Sequence, residues 1–186
     1  MKNEQAGVAA LRWRCGVIAI LCFAAMGEAQ TIPATTTKAL DGGVVTLPQP
    51  EAKRPLLLLI SFSRRGEKQF GRWNLRLKSE YLKDAGIDYY QLVDFQGVPP
   101  FVMSFILHGM RRKVPKDEWS HFAFLRADEK GWMELAHYAN PENAYVIATD
   151  ANGKMQWQTH GEPTDRSVDE LRSVLASQRA SQKTDP

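Results

Sequence analysis

The sequence predicts an α/β domain built on a central mixed sheet, with a helical insert between the second and third core strands. Three observations carry the prediction. Residues 56–62 (LLLLISF) form an unbroken apolar run, too short for an ordinary helix and bounded by Pro55 and by Ser63, Arg64, Arg65 and Gly66, as a central strand buried on both faces requires. A strand, a helix and a second strand then follow one another, the pattern of a right-handed parallel crossover. Toward the C-terminus come an apolar strand, a turn holding Asn152 and Gly153, a second strand and an amphipathic helix.

Each element has its own signature. Residues 30–54 are rich in Thr, Pro and Gly and read as an extended N-terminal segment with one edge strand at Val44–Leu47, ended by Pro48 and Pro50. After the first core strand, Phe70, Trp73, Leu77 and Tyr81 recur at helical spacing with cations opposite them, and Gly86 closes the helix. Residues 87–95 (IDYYQLVDF) form the second core strand. The insert begins with a helix over 98–113, whose stripe of Phe101, Val102, Phe105, Ile106 and Met110 is expected to pack on the sheet, and whose end carries Arg111, Arg112 and Lys113, where cations suit the helix dipole. A second helix is expected from Lys116, carrying Trp119, Phe122 and Ala123, then a short helix or turn over 131–138. Residues 144–149 and 154–159 make the closing hairpin and 164–177 the last helix, leaving 179–186 as a polar tail. The domain proper is thus 55–178.

The chain has 186 residues, 24 Lys+Arg against 21 Asp+Glu, and 44% hydrophobic residues, which suits one modest globular domain and excludes disorder. A formal charge of +3 is too small for a nucleic-acid partner. Residues 1–29 read as a cleaved signal peptide: Lys2, Arg12 and Arg14 precede an apolar run over 15–26, and the small Gly27 and Ala29 fit a cleavage site. The expected location is periplasmic or secreted, the alternative being an inner-membrane anchor formed by an uncleaved signal. Cleavage would remove Cys15 and Cys22, both of the cysteines, leaving packing alone to stabilise the domain.

This element order resembles a thioredoxin-like three-layer sandwich. Residues 61–68 (SFSRRGEK) lie where that fold carries its CxxC motif, so Arg65 and Lys68 stand where cysteines would, and Ala144 stands near the position of the family's cis-proline. Ser61, Phe62 and Trp73, with Tyr145, Val146, Asp150, Gly153, Lys154, Trp157 and Gly161 downstream, resemble the mitochondrial ATP synthase assembly factors of this superfamily and their bacterial relatives; Gln156 replaces that family's usual Arg. The resemblance implies a redox-inactive, protein-binding assembly or chaperone-type factor that is not an enzyme, whose partner is another protein or peptide. A cysteine-independent envelope enzyme or a carrier of a small anionic ligand is the alternative.

The candidate partner-binding residues are Arg64, Arg65 and Lys68, at a helix N-terminus whose free amides attract anions, together with Ala144 and Trp157. Trp157, between Gln156 and Gln158, reads as a core side chain or an exposed aromatic anchor. Glu67 and Asp94 are placed for acid–base work, but nothing in the sequence pairs them. His108, His121, His137 and His160 lack the spacing of metal ligands, and no cofactor motif is present. The basic, apolar helix over 98–113 suits packing on the sheet, or peripheral contact with a membrane or partner.

Overall fold

The computed structural model describes residues 30–184; the expected signal peptide lies outside them. The strands are β1 (Thr35–Lys38), β2 (Val44–Leu47), β3 (Leu56–Ser61), β4 (Asp88–Asp94), β5 (Phe122–Leu125), β6 (Tyr145–Thr149) and β7 (Met155–His160). The helices are α1 (Glu67–Tyr81), α2 (Pro100–Lys113), α3 (Glu129–Leu135) and α4 (Asp165–Thr184). The main sheet has the order β5-β4-β3-β6-β7, with β3 parallel to β4, β4 parallel to β5, and β6 antiparallel to both β3 and β7. All six residues of β3 are buried because it lies in the middle and both faces are covered. Leu57 and Leu59 face one core with α1, Met103 of α2 and α4, while Leu56, Leu58 and Ile60 face the other with α3 and the β1–β2 hairpin.

Four expectations change on inspection. The segment over 30–54 holds a second strand, β1, and its hairpin joins the second core: Val45 and Leu47 alternate inward, and Ala39 bridges Ala123 of β5. The helix expected to carry Trp119, Phe122 and Ala123 is instead a 3-10 turn, Lys116–His121, followed by β5, because Phe122–Leu125 finds ladder partners in β4 and all four residues are buried. The stripe of α2 is rotated. Met103 is the buried residue, Leu107 and Met110 pack beside it, and Phe101 and Phe105 are exposed. Finally, α4 continues to Thr184, so most of the expected polar tail is helical.

One polar group is deeply set among these layers. Glu118 has a side chain 3% exposed and accepts hydrogen bonds from Asn74 Nδ2 (2.9 Å), Gln91 Nε2 (3.0 Å) and Lys78 Nζ (2.9 Å). Asn74 in turn accepts from the hydroxyl of buried Tyr89 at 3.1 Å. The network joins α1, β4 and the 3-10 turn, elements distant in sequence.

Candidate functional site

The parallel strands β3 and β4 end side by side, and β6 begins at the same edge of the sheet. Ligand sites in open α/β sheets lie at such carboxyl edges. Ser63 caps the 3-10 turn Arg64–Gly66 that leads into α1: its Oγ accepts from the Arg65 amide at 3.1 Å and donates to the Pro141 carbonyl. Ser61 Oγ donates to the Ser63 carbonyl at 2.9 Å. On α1, Gln69 Oε1 accepts from the Ala144 amide at 3.1 Å, and the Ala144 carbonyl accepts from the Gly161 amide at 2.9 Å. The step from β3 to α1 is therefore tied to the loop before β6 and to the end of β7.

Gly66 makes that junction sterically possible. A Cβ there would stand 2.8 Å from the Asn143 carbonyl oxygen and 3.0 Å from Ser61 Oγ, and the first of these is backbone that cannot swing aside. Gly66→Ala is expected to cost about 1–3 kcal/mol, the range for overpacking a tight site. Urea unfolding measures the loss, and exchange of the Ala144 amide should quicken; wild-type values for both would show that the loop yields freely.

An aromatic cluster in the second core begins at Phe62, next to this junction. Phe62 meets Tyr138 edge-on at 5.5 Å between centroids and Tyr145 at 5.4 Å, and Tyr138 stacks on Tyr145 at 5.8 Å. The Tyr145 hydroxyl accepts from the amides of Ala139 and Asn140 (3.0 and 3.1 Å) and donates to the Asn140 carbonyl (3.0 Å), which fixes the loop. Arg64, Arg65 and Lys68 are exposed at the junction, and no ion pair among the described residues includes them.

Acidic groups occupy the neighbouring end of the edge. Burial pushes the Asp94 carboxyl up to about 6, with Glu129 adding to the rise through its charge and a side-chain hydrogen bond, against a bond from the Gln96 amide. Burial likewise raises the Tyr138 hydroxyl, helped by Tyr145 and Glu129 and opposed by Arg65, so Tyr138 lies within electrostatic reach of both signs. Asp94→Asn should remove a titration near pH 6. Because a raised carboxyl is stabilising while protonated, the wild type should lose that small advantage as pH rises through about 6. Carboxyl chemical shifts followed by NMR would check both.

The structure brings Arg64, Arg65, Lys68 and Ala144 to one edge. Ala144 is fully buried, so it positions the loop and presents no side chain. Trp157 is elsewhere, in the middle of β7 opposite Ala148 and beside Arg166, Glu170 and Val174 of α4. The histidines are dispersed: His121 Nδ1 is 2.9 Å from the Tyr89 carbonyl, His137 bonds Gln158, and His160 bonds Asn143. Tyr138, Glu129 and Gln69 were not singled out by sequence reasoning, and only the proximity of strand ends reveals them.

No protein-family model matches the chain, and no curated protein matches it. Solved structures do. The exposed lipoprotein thioredoxin of Streptococcus pneumoniae is similar with a TM-score of 0.52 at 11% identity, over 76% of this chain and 98% of that one. A protein described as the thiol:disulfide interchange protein DsbE from Chlorobium tepidum gives 0.52 at 18% identity, covering 82% and 97%. BsSco, a member of the Sco family of cytochrome c oxidase assembly proteins, gives 0.51 at 15% identity, covering 80% and 93%. These neighbours correct the expectation that the chain is not an enzyme, because by their descriptions they include thiol-disulfide oxidoreductases. That expectation rested on Arg65 and Lys68 standing at the cysteine positions; the described residues hold no cysteine, and Cys15 and Cys22 lie outside them. The α/β architecture, with its central mixed five-stranded sheet, is thioredoxin-like.

Proposed function

We propose that this chain binds an acidic segment of another protein at the carboxyl edge of its sheet, in the bacterial envelope. One observation carries the reading: three exposed cations, with no ion-pair partner among the described residues, stand at a backbone junction locked by Ser63, Gln69 and Tyr145. The locked backbone spends little conformational entropy on binding, and the charges it carries suit carboxylates. The expected signal peptide supports an envelope location, as does similarity to a protein described as an exposed lipoprotein. An assembly role finds support in the description of BsSco, whereas the link to ATP synthase rests on the sequence motifs alone.

The test is the double variant Arg65→Ala, Lys68→Ala. Each desolvated charge-assisted contact is worth about 1.5–3 kcal/mol, so affinity for a peptide selected on the wild-type protein from an array of acidic sequences should fall at least about tenfold. Thermal stability should hold, since neither side chain makes an ion pair or a side-chain hydrogen bond among the described residues. Unchanged affinity would show the edge to be ordinary solvated surface.

A second reading has its own observation. The Asp94 carboxyl, held near neutrality beside Glu129 at the same edge, is suited to proton transfer in a cysteine-independent enzyme. Loss of turnover in Asp94→Asn with binding intact would favour it.

A further inference from the structure

The helix α2 carries two opposed faces. Met103, Leu107, Met110 and Val114 turn inward to the core. Outward, Phe101, Phe105, His108 and Arg112 recur at spacings of four, three and four residues and so share one line along the helix. All four are exposed, Phe101 to 78% and Phe105 to 80%. Two adjacent phenylalanines this open to water are unusual, because each forgoes a large favourable burial.

Along the helix itself the charges have one sign. No Asp or Glu occurs between Gln96 and Lys116, while Arg111, Arg112, Lys113 and Lys116 gather at the C-terminal end of the helix. Arg111 is fixed: its Nε donates to the Leu40 carbonyl at 2.9 Å and its guanidinium lies 5.9 Å from the Trp119 ring centroid. Arg112 and Lys113 flank it in the open. The surface is the convex flank of a helix. It projects aromatic rings at one end and a cluster of cations at the other, within 14 residues.

We infer that α2 docks this domain reversibly on an anionic lipid bilayer, with Phe101 and Phe105 entering the interface and Arg112 and Lys113 meeting headgroup phosphates. The combination is what an interfacial helix needs: apolar side chains to insert and several cations that act together on a diffuse negative surface rather than pairing singly with placed carboxylates. A protein partner of matching shape would need a groove for both rings with acids at one end. A bilayer supplies the same complementarity without a dedicated groove, and the expected passage of residues 1–29 into or across a membrane brings one close.

Site-specific photocrosslinking tests this on the full chain, and reads α2 separately from any membrane affinity of residues 15–26. p-Benzoylphenylalanine replaces Phe105, and in a second protein it replaces Lys130, an exposed position of α3 on the opposite face of the sheet. With vesicles of phosphatidylcholine and phosphatidylglycerol, lipid adducts should form at position 105 and much less at 130. They should fall on vesicles of phosphatidylcholine alone, and by about fivefold for each charge removed in Arg112→Ala and Lys113→Ala. Equal yields at 105 and 130, equal yields on the two lipid compositions, or no lipid adduct at 105 would each overturn the inference. So would crosslinking in intact cells that gives only a protein adduct at 105, which would assign the face to a protein partner.

Discussion

Replacing Glu118 with alanine is expected to lower the unfolding free energy by about 3–5 kcal/mol, from buried donors left unsatisfied at about 1–3 kcal/mol each and from the cavity. Its carboxylate is the common acceptor for Asn74, Gln91 and Lys78. Truncation leaves three donors on two elements, α1 and β4, without their acceptor. Lys78 is 31% exposed and recovers water, so most of the loss comes from the two amides and from the cavity. In a domain of this size the melting temperature should drop by on the order of 10 °C. Glu118→Gln keeps the volume but turns an NH₂ toward donors, so it should fall between wild type and alanine. Acid titration separates charge from packing. Burial raises the Glu118 carboxyl, but hydrogen bonds from Asn74, Gln91 and Lys78 and the charge of Lys78 bring it below its ordinary value of 4.5. A depressed carboxyl contributes stability above its unfolded value and loses it as pH falls through the folded one. The wild type should therefore lose stability below about pH 4.5 more steeply than Glu118→Gln; parallel acid profiles for the two proteins would refute the role assigned to the charge.

The second large effect is expected at Trp73, the centre of the buried face of α1 with Phe70, Leu77 and Tyr81. It is fully buried, and its Nε1 donates to the Gly161 carbonyl at 2.8 Å. Trp73→Ala should cost about 3–5 kcal/mol through lost burial and an unfilled cavity. Trp73→Phe retains much of the packing and loses the hydrogen bond, for a cost nearer 1–3 kcal/mol with the Gly161 carbonyl left without that donor. Gly161 also donates its amide to Ala144. The alanine variant should thus loosen the loop before β6 and weaken peptide binding beyond its effect on global stability. Chemical denaturation and binding to a selected peptide, measured on the same samples, give the two numbers; equal losses in the alanine and phenylalanine variants would remove packing as the main contribution.

The elements that sequence made legible were those whose neighbours leave a local trace. Residues 56–62 are apolar at every position because the strand is covered on both sides, and Trp73 and its companions repeat at the helical period because α1 has one wet face. Phe122–Leu125 left no such trace: four apolar residues fit a strand or a helical turn equally, and pairing with β4 decided the matter. In α2 apolar residues line both faces, so periodicity placed a stripe without saying which side met the core. The cationic part of the candidate edge, Arg64, Arg65 and Lys68, followed from its position after the central strand. Glu118 sits in a charged stretch beside Asp117, and Glu129 opens a polar helix; the partners that give them meaning are Gln91, Asn74 and Asp94, brought near only by folding.

The β1–β2 hairpin has a consequence for how the protein behaves at high concentration. An apolar outer strand with unpaired amides and carbonyls is a template for aggregation, and Phe122–Leu125 is such a strand. Here the hairpin masks it: Ala39 bridges Ala123, the Leu40 amide donates to the Phe122 carbonyl at 2.8 Å, and Thr37 Oγ1 donates to the Phe124 carbonyl. At the opposite border β7 guards itself with alternating polar residues, Gln156, Gln158 and His160, and with the cover of Thr31 and Ile32 over its start. A chain trimmed to its sheet and helices, without residues 30–48, would keep its topology on paper yet expose the FAFL border, and self-association into insoluble material would be the cost.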